Sequence, residues 1–270
     1  MTTDAVVIPG AAVEGRSWTE VLHDWVTTVD HKRLGILYVV FGIVFLAVGG
    51  FEAALIRFQL AVPNNDLISP QVFNRLMTMH GTTMVFFVGV PILFGFANYL
   101  VPLMVGARDM AFPRLNAFGF WMTFFGGLLL YFSFVGGEGL FGAGSAPDVG
   151  WFAYSPLTAR AFSRGHSTDY WSLAIFAAGI GTIASAVNIV TTVACMRCPG
   201  MTLRRMPLLP WMMLTMAAMT LIVMTPLSAA QICSRSTGTW AGTSSTPRRA
   251  ARRCSGSTSS GCSATPRSTC

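Results

Sequence analysis

The fold of this chain is decided by residues 77–101, which read MTMHGTTMVFFVGVPILFGFANYLV. The stretch contains no Asp, Glu, Lys or Arg. As a helix it extends about 37 Å, which is enough to cross a hydrocarbon core of about 30 Å. Its single histidine is His80, and an ionisable side chain inside a membrane span is by default a candidate functional residue. Because a neutral imidazole is the commonest protein ligand for metals, His80 is predicted to bind a metal, with room for a flat cofactor beside Gly81.

The rest of the sequence predicts an all-α polytopic membrane protein. The chain has 270 residues, of which 53% are hydrophobic and 11% are charged, and this composition is typical of membrane proteins. Five apolar segments are long enough to be transmembrane helices: about 34–56, 77–101, 112–135, 170–193 and 207–229. Residues 1–232 are therefore predicted to form one membrane domain.

The positions of the basic residues predict the orientation, because cytoplasmic loops carry an excess of Lys and Arg. A cytoplasmic N-terminus places most of the basic residues before residue 233 on the cytoplasmic side: Arg16, Lys32, Arg33, Arg108, Arg114, Arg197, Arg204 and Arg205. The opposite side then holds fewer: Arg57, Arg75, Arg160 and Arg164. The sequence therefore predicts a multi-pass protein with its N-terminus in the cytoplasm.

Residues 233–270 differ from the rest of the chain and are predicted to be disordered. They contain no Leu, Val, Ile, Phe, Asp or Glu, so they cannot bury enough apolar surface to offset the entropy cost of ordering. This segment also contains a third of the Lys and Arg residues, so the formal net charge of +7 does not indicate a nucleic-acid partner. Two explanations stand: a disordered basic tail, or translation of the segment out of frame.

The out-of-frame hypothesis rests on what the tail encodes in a shifted frame. Codons can be chosen for residues 265–269 that, read one base earlier, encode HPEVY. A similar choice turns residues 257–263 into an apolar, aromatic segment. On this hypothesis the chain is an N-terminal fragment of a longer protein, and the nucleotide sequence around codons 230–235 tests it.

Six motifs occur in one order along the chain: TVDHKRLG at 28–35, LIRFQLA at 55–61, MHGT at 79–82, NYLVPL at 98–103, ARDMAFPRLN at 107–116 and PLSAAQ at 226–231. In these motifs the chain resembles subunit I of the haem–copper terminal oxidases, of the cytochrome c oxidase type. The resemblance implies five helices of a twelve-helix bundle in the inner (plasma) membrane of the cell. It also implies a respiratory enzyme that transfers electrons from cytochrome c through haem to oxygen, forming water and pumping protons.

The same resemblance implies roles for individual residues. His80 is expected to be one axial ligand of the low-spin haem, of type a or b, and Arg57 to hydrogen-bond a substituent of that haem. Asp109 is expected at the entrance of a proton pathway that opens on the inner side. Five further polar residues are expected along this pathway: Asn98, Asn116, Tyr38, Asn188 and Thr192.

No catalytic residue of oxygen reduction is expected in this chain, because by resemblance the high-spin haem and the copper are held further along the full-length protein. The chain alone is therefore expected to be inactive. The expected partners are oxidase subunits II and III, cytochrome c and the lipid bilayer. A quinol oxidase with the same subunit, and a non-catalytic membrane haem-binding fragment, remain as alternatives.

The site residues also have structural alternatives. A histidine in an apolar helix can bond a neighbouring carbonyl, a terminal arginine can extend to the headgroups, and Asn or Thr can bond across helices. Glu52 is expected to form a local ion pair with Arg57. Three histidines are expected to be solvated: His23, His31 and His166. The single CxxC at Cys195 and Cys198 is weak evidence for a metal site.

Overall fold

The chain folds into a bundle of long α-helices. The computed structural model describes residues 17–136, 146–153, 157–158, 163 and 166–240, with the side chains of 135–136 and 232–240 left out. The α-helices in these residues are α1 (Trp18–Val26), α2 (His31–Gln59), α3 (Pro70–Thr82), α4 (Val90–Val105), α5 (Pro113–Gly136), α6 (Ser167–Cys195) and α7 (Leu208–Trp240). A π-helical segment, Thr83–Gly89, joins α3 to α4. No β-strand occurs in this part of the chain, so the all-α prediction is confirmed.

Within the described residues, five segments are long and apolar enough to cross a membrane: His31–Gln59, Pro70–Val105, Pro113–Phe134, Ser167–Cys195 and Leu208–Gln231. They match the five predicted spans in order. Successive spans run in opposite directions, so the bundle has two ends. The end where α2 begins is called here the His31 end, and the end where α2 finishes is called the Gln59 end.

The second span begins at Pro70, seven residues earlier than the predicted start at residue 77. The side chain of Ser69 accepts a hydrogen bond from the backbone N of Val72 (3.5 Å), and Pro70 at the first helical position is preorganised for a helix. Hydropathy does not reveal this start because the first turns of α3 are polar. His80 therefore lies about three turns inside the helix, whereas the predicted start at residue 77 places it in the first turn.

The last helix, α7, continues to Trp240, beyond its predicted end at residue 229 and into the segment predicted to be disordered. The rest of that segment, residues 241–270, lies outside the described residues. The same is true of three basic residues used to predict the orientation: Arg16, Arg160 and Arg164. The out-of-frame hypothesis stays a prediction.

Helices α2 and α4 approach closely because two glycines lie at their contact. A Cβ atom added to Gly35 would lie 2.9 Å from the carbonyl oxygen of Gly95, and one added to Gly95 would lie 3.0 Å from that of Gly35. Small residues at such positions let helix backbones pack together inside a membrane. This contact fixes α2, which carries Tyr38 and Glu52, against the helix that carries Asn98.

Gly95→Ala is expected to lower the free energy of unfolding by about 1–3 kcal/mol, the usual cost of overpacking a tight contact. The measurement is thermal loss of helical circular dichroism from the purified protein in detergent. Gly50→Ala is the matched control on α2, because a Cβ there meets nothing within 4 Å. The control is expected to be neutral or to stabilise by up to about 1 kcal/mol. Equal midpoints for the two variants would contradict the close contact.

Candidate functional site

The imidazole of His80 is fixed by a backbone carbonyl of the neighbouring helix. Its Nδ1 lies 2.9 Å from the carbonyl oxygen of Gly49 on α2. A carbonyl oxygen can only accept, so Nδ1 carries the proton and donates. The neutral ring then has an unprotonated Nε2, which makes no hydrogen bond within the described residues. In a metal-ligating histidine, the ring nitrogen that does not bind the metal usually donates a hydrogen bond, which orients the ring and fixes its tautomer. The bond from Nδ1 of His80 to Gly49 is of this kind.

Gly49 permits this contact because it has no side chain. A Cβ atom there would lie 3.0 Å from the sulfur of Met84 and 3.3 Å from Cγ2 of Thr83, both in the π-helical segment. π-Helical turns are often found at functional sites. Here the segment begins three residues after His80, and the side chain of Thr83 faces α2.

The space expected beside Gly81 for a flat cofactor is filled by an aromatic side chain, so that expectation is wrong. A Cβ atom on Gly81 would lie 2.9 Å from Cδ1 of Trp151. The loop carrying Trp151 is held by the backbone N of Gly150, which donates to Oγ1 of Thr78 (2.9 Å). The glycine thus lets the indole pack on α3. The remaining open coordination position of the histidine is at Nε2.

Arg57 lies in the last turn of α2 at the Gln59 end, with an exposed side chain. Within the described residues it makes no hydrogen bond and no ion pair. The expected ion pair with Glu52 is wrong, because the carboxyl of Glu52 accepts from the hydroxyl of Tyr131 (3.2 Å). The structure therefore does not join Arg57 to His80 by a direct bond, and its role toward a cofactor stays a prediction.

At the His31 end, Asp109 lies in the loop between α4 and α5 and bonds a histidine. Its Oδ1 lies 3.1 Å from Nδ1 of His31 and also accepts from the backbone N of Met110 (2.7 Å). The side chain of Asp109 is 37% exposed, whereas that of His31 is 4% exposed. The expectation that His31 is solvated is wrong, because Asp30 caps α2 and the next residue turns inward to Asp109. His23 and His166 are exposed, as expected.

Asn188 and Thr192, one turn apart near the end of α6, hold the loop that follows Asp109. Oδ1 of Asn188 accepts from the backbone N of Phe112 (2.8 Å), and Oγ1 of Thr192 accepts from that of Ala111 (2.9 Å). These bonds satisfy two backbone amides of the loop. Hydrogen bonding across helices, the structural alternative, accounts for both side chains. Their place in a proton pathway stays a prediction.

Two other asparagines at this end have no such partners. Asn98 on α4 and Asn116 in the first turns of α5 are 0% exposed. In the described structure, the amide N and O atoms of both side chains are buried without a hydrogen-bond partner. Buried amides without protein partners are normally satisfied by ordered water. Asn98 and Asn116 are therefore suited to bind internal water within the bundle.

Tyr38 lies on α2 deeper in the bundle and bonds a residue that sequence reasoning missed. Its hydroxyl lies 3.0 Å from Oγ of Ser185 on α6, and both side chains are buried. Gly119 on α5 makes room for the pair, because a Cβ there would lie 2.6 Å from Oγ of Ser185. A serine in an apolar helix gives no sequence signal for this contact, since its partner is far along the chain.

No group of three or more His, Cys, Asp or Glu side chains that could hold a metal ion occurs in the described part of the chain. Among these residues, His80 is therefore not part of a metal-binding cluster of three or more such side chains. Cys195 is an exposed free thiol and Cys198 a half-buried one.

These features define a multi-pass helical membrane protein with an oriented imidazole on one span and a buried polar cluster toward one end. The chain matches the family described as cytochrome c and quinol oxidase polypeptide I over residues 33–247. It belongs to this family, as the sequence motifs predicted.

Three curated relatives illustrate the match. Cytochrome c oxidase subunit 1 of Bacillus subtilis is 46% identical over 219 residues, covering 81% of this chain and 34% of the relative. The protein of the same name from Corynebacterium glutamicum is 45% identical over 206 residues, covering 76% and 34%. That of Bacillus sp. PS3 is 46% identical over 213 residues, covering 78% and 33%. The chain spans about a third of the length of these relatives.

Proposed function

We propose that this chain supplies part of subunit I of a respiratory terminal oxidase, namely one axial ligand of a low-spin haem and the entrance of a proton pathway. The whole enzyme takes electrons from cytochrome c, reduces oxygen to water and pumps protons. It lies in the inner (plasma) membrane with the His31 end toward the cytoplasm, and it assembles with subunits II and III. The observation that carries the haem assignment is the bond from Nδ1 of His80 to the carbonyl of Gly49.

The residues around His80 fit a haem ligand in three respects. The tautomer leaves Nε2 free to bind iron, the ring orientation is fixed by a backbone acceptor, and the surrounding span is apolar. The haem, when bound, supplies the one-electron redox chemistry. The exposed guanidinium of Arg57 is free to hydrogen-bond a polar substituent of the haem, for which its planar array of donors is suited.

Proton uptake is proposed to begin at Asp109. Its carboxylate is partly exposed and bonds the buried imidazole of His31, so a proton arriving from the cytoplasm meets an acceptor at the surface. The unpaired amides of Asn98 and Asn116 hold the waters that carry the proton onward. The same route is proposed to pass Tyr38, Asn188 and Thr192, because these residues lie on the helices that surround it. This support comes from burial and unsatisfied polar atoms rather than from any continuous chain of bonds between protein side chains.

The chemistry of oxygen itself is proposed to occur outside this chain. The high-spin haem and the copper are assigned to the part of the subunit that the chain does not cover, and no residue here is given a catalytic role. On this proposal residues 1–232 are the membrane domain, residues 233–270 are an out-of-frame tail, and the literal chain is inactive alone.

The test is the reduced-minus-oxidised absorption spectrum of membranes that contain the assembled oxidase, together with oxygen uptake inhibited by carbon monoxide. A low-spin haem signal with uptake driven by reduced cytochrome c supports the proposal. Uptake driven by quinol alone supports a quinol oxidase instead. Absence of any haem signal supports a non-catalytic membrane fragment and removes the enzymatic assignment.

Asn98→Leu is expected to leave stability unchanged or raised while it slows oxygen turnover. The substitution replaces an unpaired buried amide with an apolar group of similar size, which is usually neutral or stabilising, but it also displaces the waters. Asn188→Leu is the contrasting variant and is expected to lower the free energy of unfolding by about 1–3 kcal/mol, because it leaves the backbone N of Phe112 unpaired. The measurements are thermal unfolding and oxygen uptake of the assembled enzyme. Unchanged turnover in Asn98→Leu would exclude this residue from the pathway.

A further inference from the structure

Glu52 is a buried carboxyl in a membrane span to which the proposed function gives no role. It lies on α2, seven residues before the end of the helix at Gln59 and therefore about 10 Å below that end. Only 4% of the surface of Glu52 is exposed. A charged side chain is expensive at such a position and normally pairs with an opposite charge. No ion pair to Glu52 occurs within the described residues.

The partners of Glu52 are two hydroxyl groups in a row. The hydroxyl of Tyr131 on α5 donates to Oε1 of Glu52 (3.2 Å). The same hydroxyl lies 2.8 Å from Oγ1 of Thr83, the first residue of the π-helical segment. The other carboxyl oxygen, Oε2, is buried without a hydrogen-bond partner in the part of the chain that the structure describes.

One neutral hydroxyl does not replace the hydration shell of an ionised carboxylate, which has room for about four hydrogen bonds on its two oxygens. A buried charge without a counter-charge is avoided by neutralisation. A neutral carboxylic acid has no charge to solvate, and the Tyr131 hydroxyl supplies a donor to its carbonyl oxygen. The surroundings of Glu52 therefore suit the proton-bearing form.

This small network is built on the same helices as the His80 contact. Gly49, whose carbonyl accepts from His80, lies three residues before Glu52 on α2. Thr83 lies three residues after His80 in the next span. Two connections thus join α2 to the span that carries His80, and they lie about one helical turn apart. One runs from His80 to Gly49, and the other from Thr83 through Tyr131 to Glu52. A change of charge on a group bound to His80 acts on nearby dipoles with little screening in this apolar region.

We propose that Glu52 is a proton-holding acid inside the bilayer whose hydrogen bond with Tyr131 responds to the charge of the haem bound by His80. The inference rests on the proposed function, since it requires that haem. The proton stays on Glu52 in both redox states, and no bond to hydrogen breaks. The change lies in the strength of the bond from the Tyr131 hydroxyl to the carbonyl oxygen of the acid.

The experiment is redox-difference infrared spectroscopy of the assembled oxidase in membranes. The parent enzyme is expected to show a difference band in the carbonyl-stretching region of protonated carboxylic acids, and the band moves to lower frequency in D₂O. Glu52→Gln is expected to lose this band. Tyr131→Phe is expected to lose this band as well, because the hydrogen bond whose strength responds to the haem is gone while Glu52 remains. Glu20→Gln, which changes an exposed acid on α1, is the control and keeps the parent band.

Visible spectra of the same samples separate the two hypotheses. A parent enzyme with low-spin haem whose carboxylic band is absent, or is unchanged in Glu52→Gln, overturns the inference and leaves the proposed function standing. A parent enzyme without low-spin haem overturns the proposed function and this inference with it. If Glu52→Gln does not assemble, Tyr131→Phe decides: loss of the carboxylic band supports the inference, and a band equal to that of the parent overturns it.

Discussion

Replacing His80 with leucine in the assembled oxidase is expected to abolish the low-spin haem absorption and to lower oxygen uptake by more than about 100-fold. Loss of a residue that only orients a metal ligand typically costs 10–100-fold in metal affinity or activity, and loss of the ligand itself is expected to cost more. The leucine also cannot bond the carbonyl of Gly49, so the link between α2 and α3 is lost. The measurements are reduced-minus-oxidised spectra and oxygen uptake.

His166→Leu is the control for this experiment. His166 is an exposed histidine just before α6, and its Nδ1 lies 3.3 Å from Oδ2 of Asp169. It makes no contact that the proposed haem site uses, so the control is expected to keep the parent spectrum and the parent rate. A normal low-spin spectrum in His80→Leu would show that the iron is held by other residues.

Asp109→Asn is expected to slow oxygen turnover by about 100-fold, at the low end of the range for loss of a positioned proton-transfer group. The amide keeps the size of the side chain and an oxygen that can accept from the backbone N of Met110. It loses the negative charge and the ability to take up a proton. The haem spectra are expected to stay normal, because Asp109 lies at the end of the bundle opposite Gln59, whereas His80 lies toward the Gln59 end.

Asp66→Asn is the matched control, because Asp66 is an exposed carboxylate in the loop between α2 and α3 at the other end of the bundle. Two quantities are measured: oxygen turnover and the protons released after a pulse of oxygen. In the Asp66→Asn enzyme both are expected to equal those of the parent. If Asp109→Asn also matches the parent in both measurements, Asp109 is a surface loop residue and the proton entrance lies elsewhere.

The sequence predicted the five spans because length and hydropathy suffice to locate a membrane helix. It did not predict the start of α3, where a serine cap and a proline act before the apolar residues begin. The same holds for α1, whose capping box joins Ser17 and Glu20 in a segment too polar for a hydropathy argument.

Contacts between distant residues were the least predictable. His31 meets Asp109 across 78 positions, Tyr38 meets Ser185 across 147, and Glu52 meets Tyr131 across 79. The partner of each residue lies far along the chain, and the helices must be packed before these contacts become visible. The roles of His80, Arg57 and the pathway residues stay predictions, because they depend on groups that the protein binds rather than on its own contacts.

The acceptor for His80 belongs to the main chain, and this has an evolutionary consequence. A side-chain partner could be exchanged by a single codon change, but every residue type at position 49 would present the same oxygen. Drift there is limited only by bulk, because Met84 and Thr83 leave little space for a larger residue. The chemistry of the acceptor is thereby independent of the side chain at position 49, but the space is not, and we expect natural variants at this position to be confined to the smallest side chains.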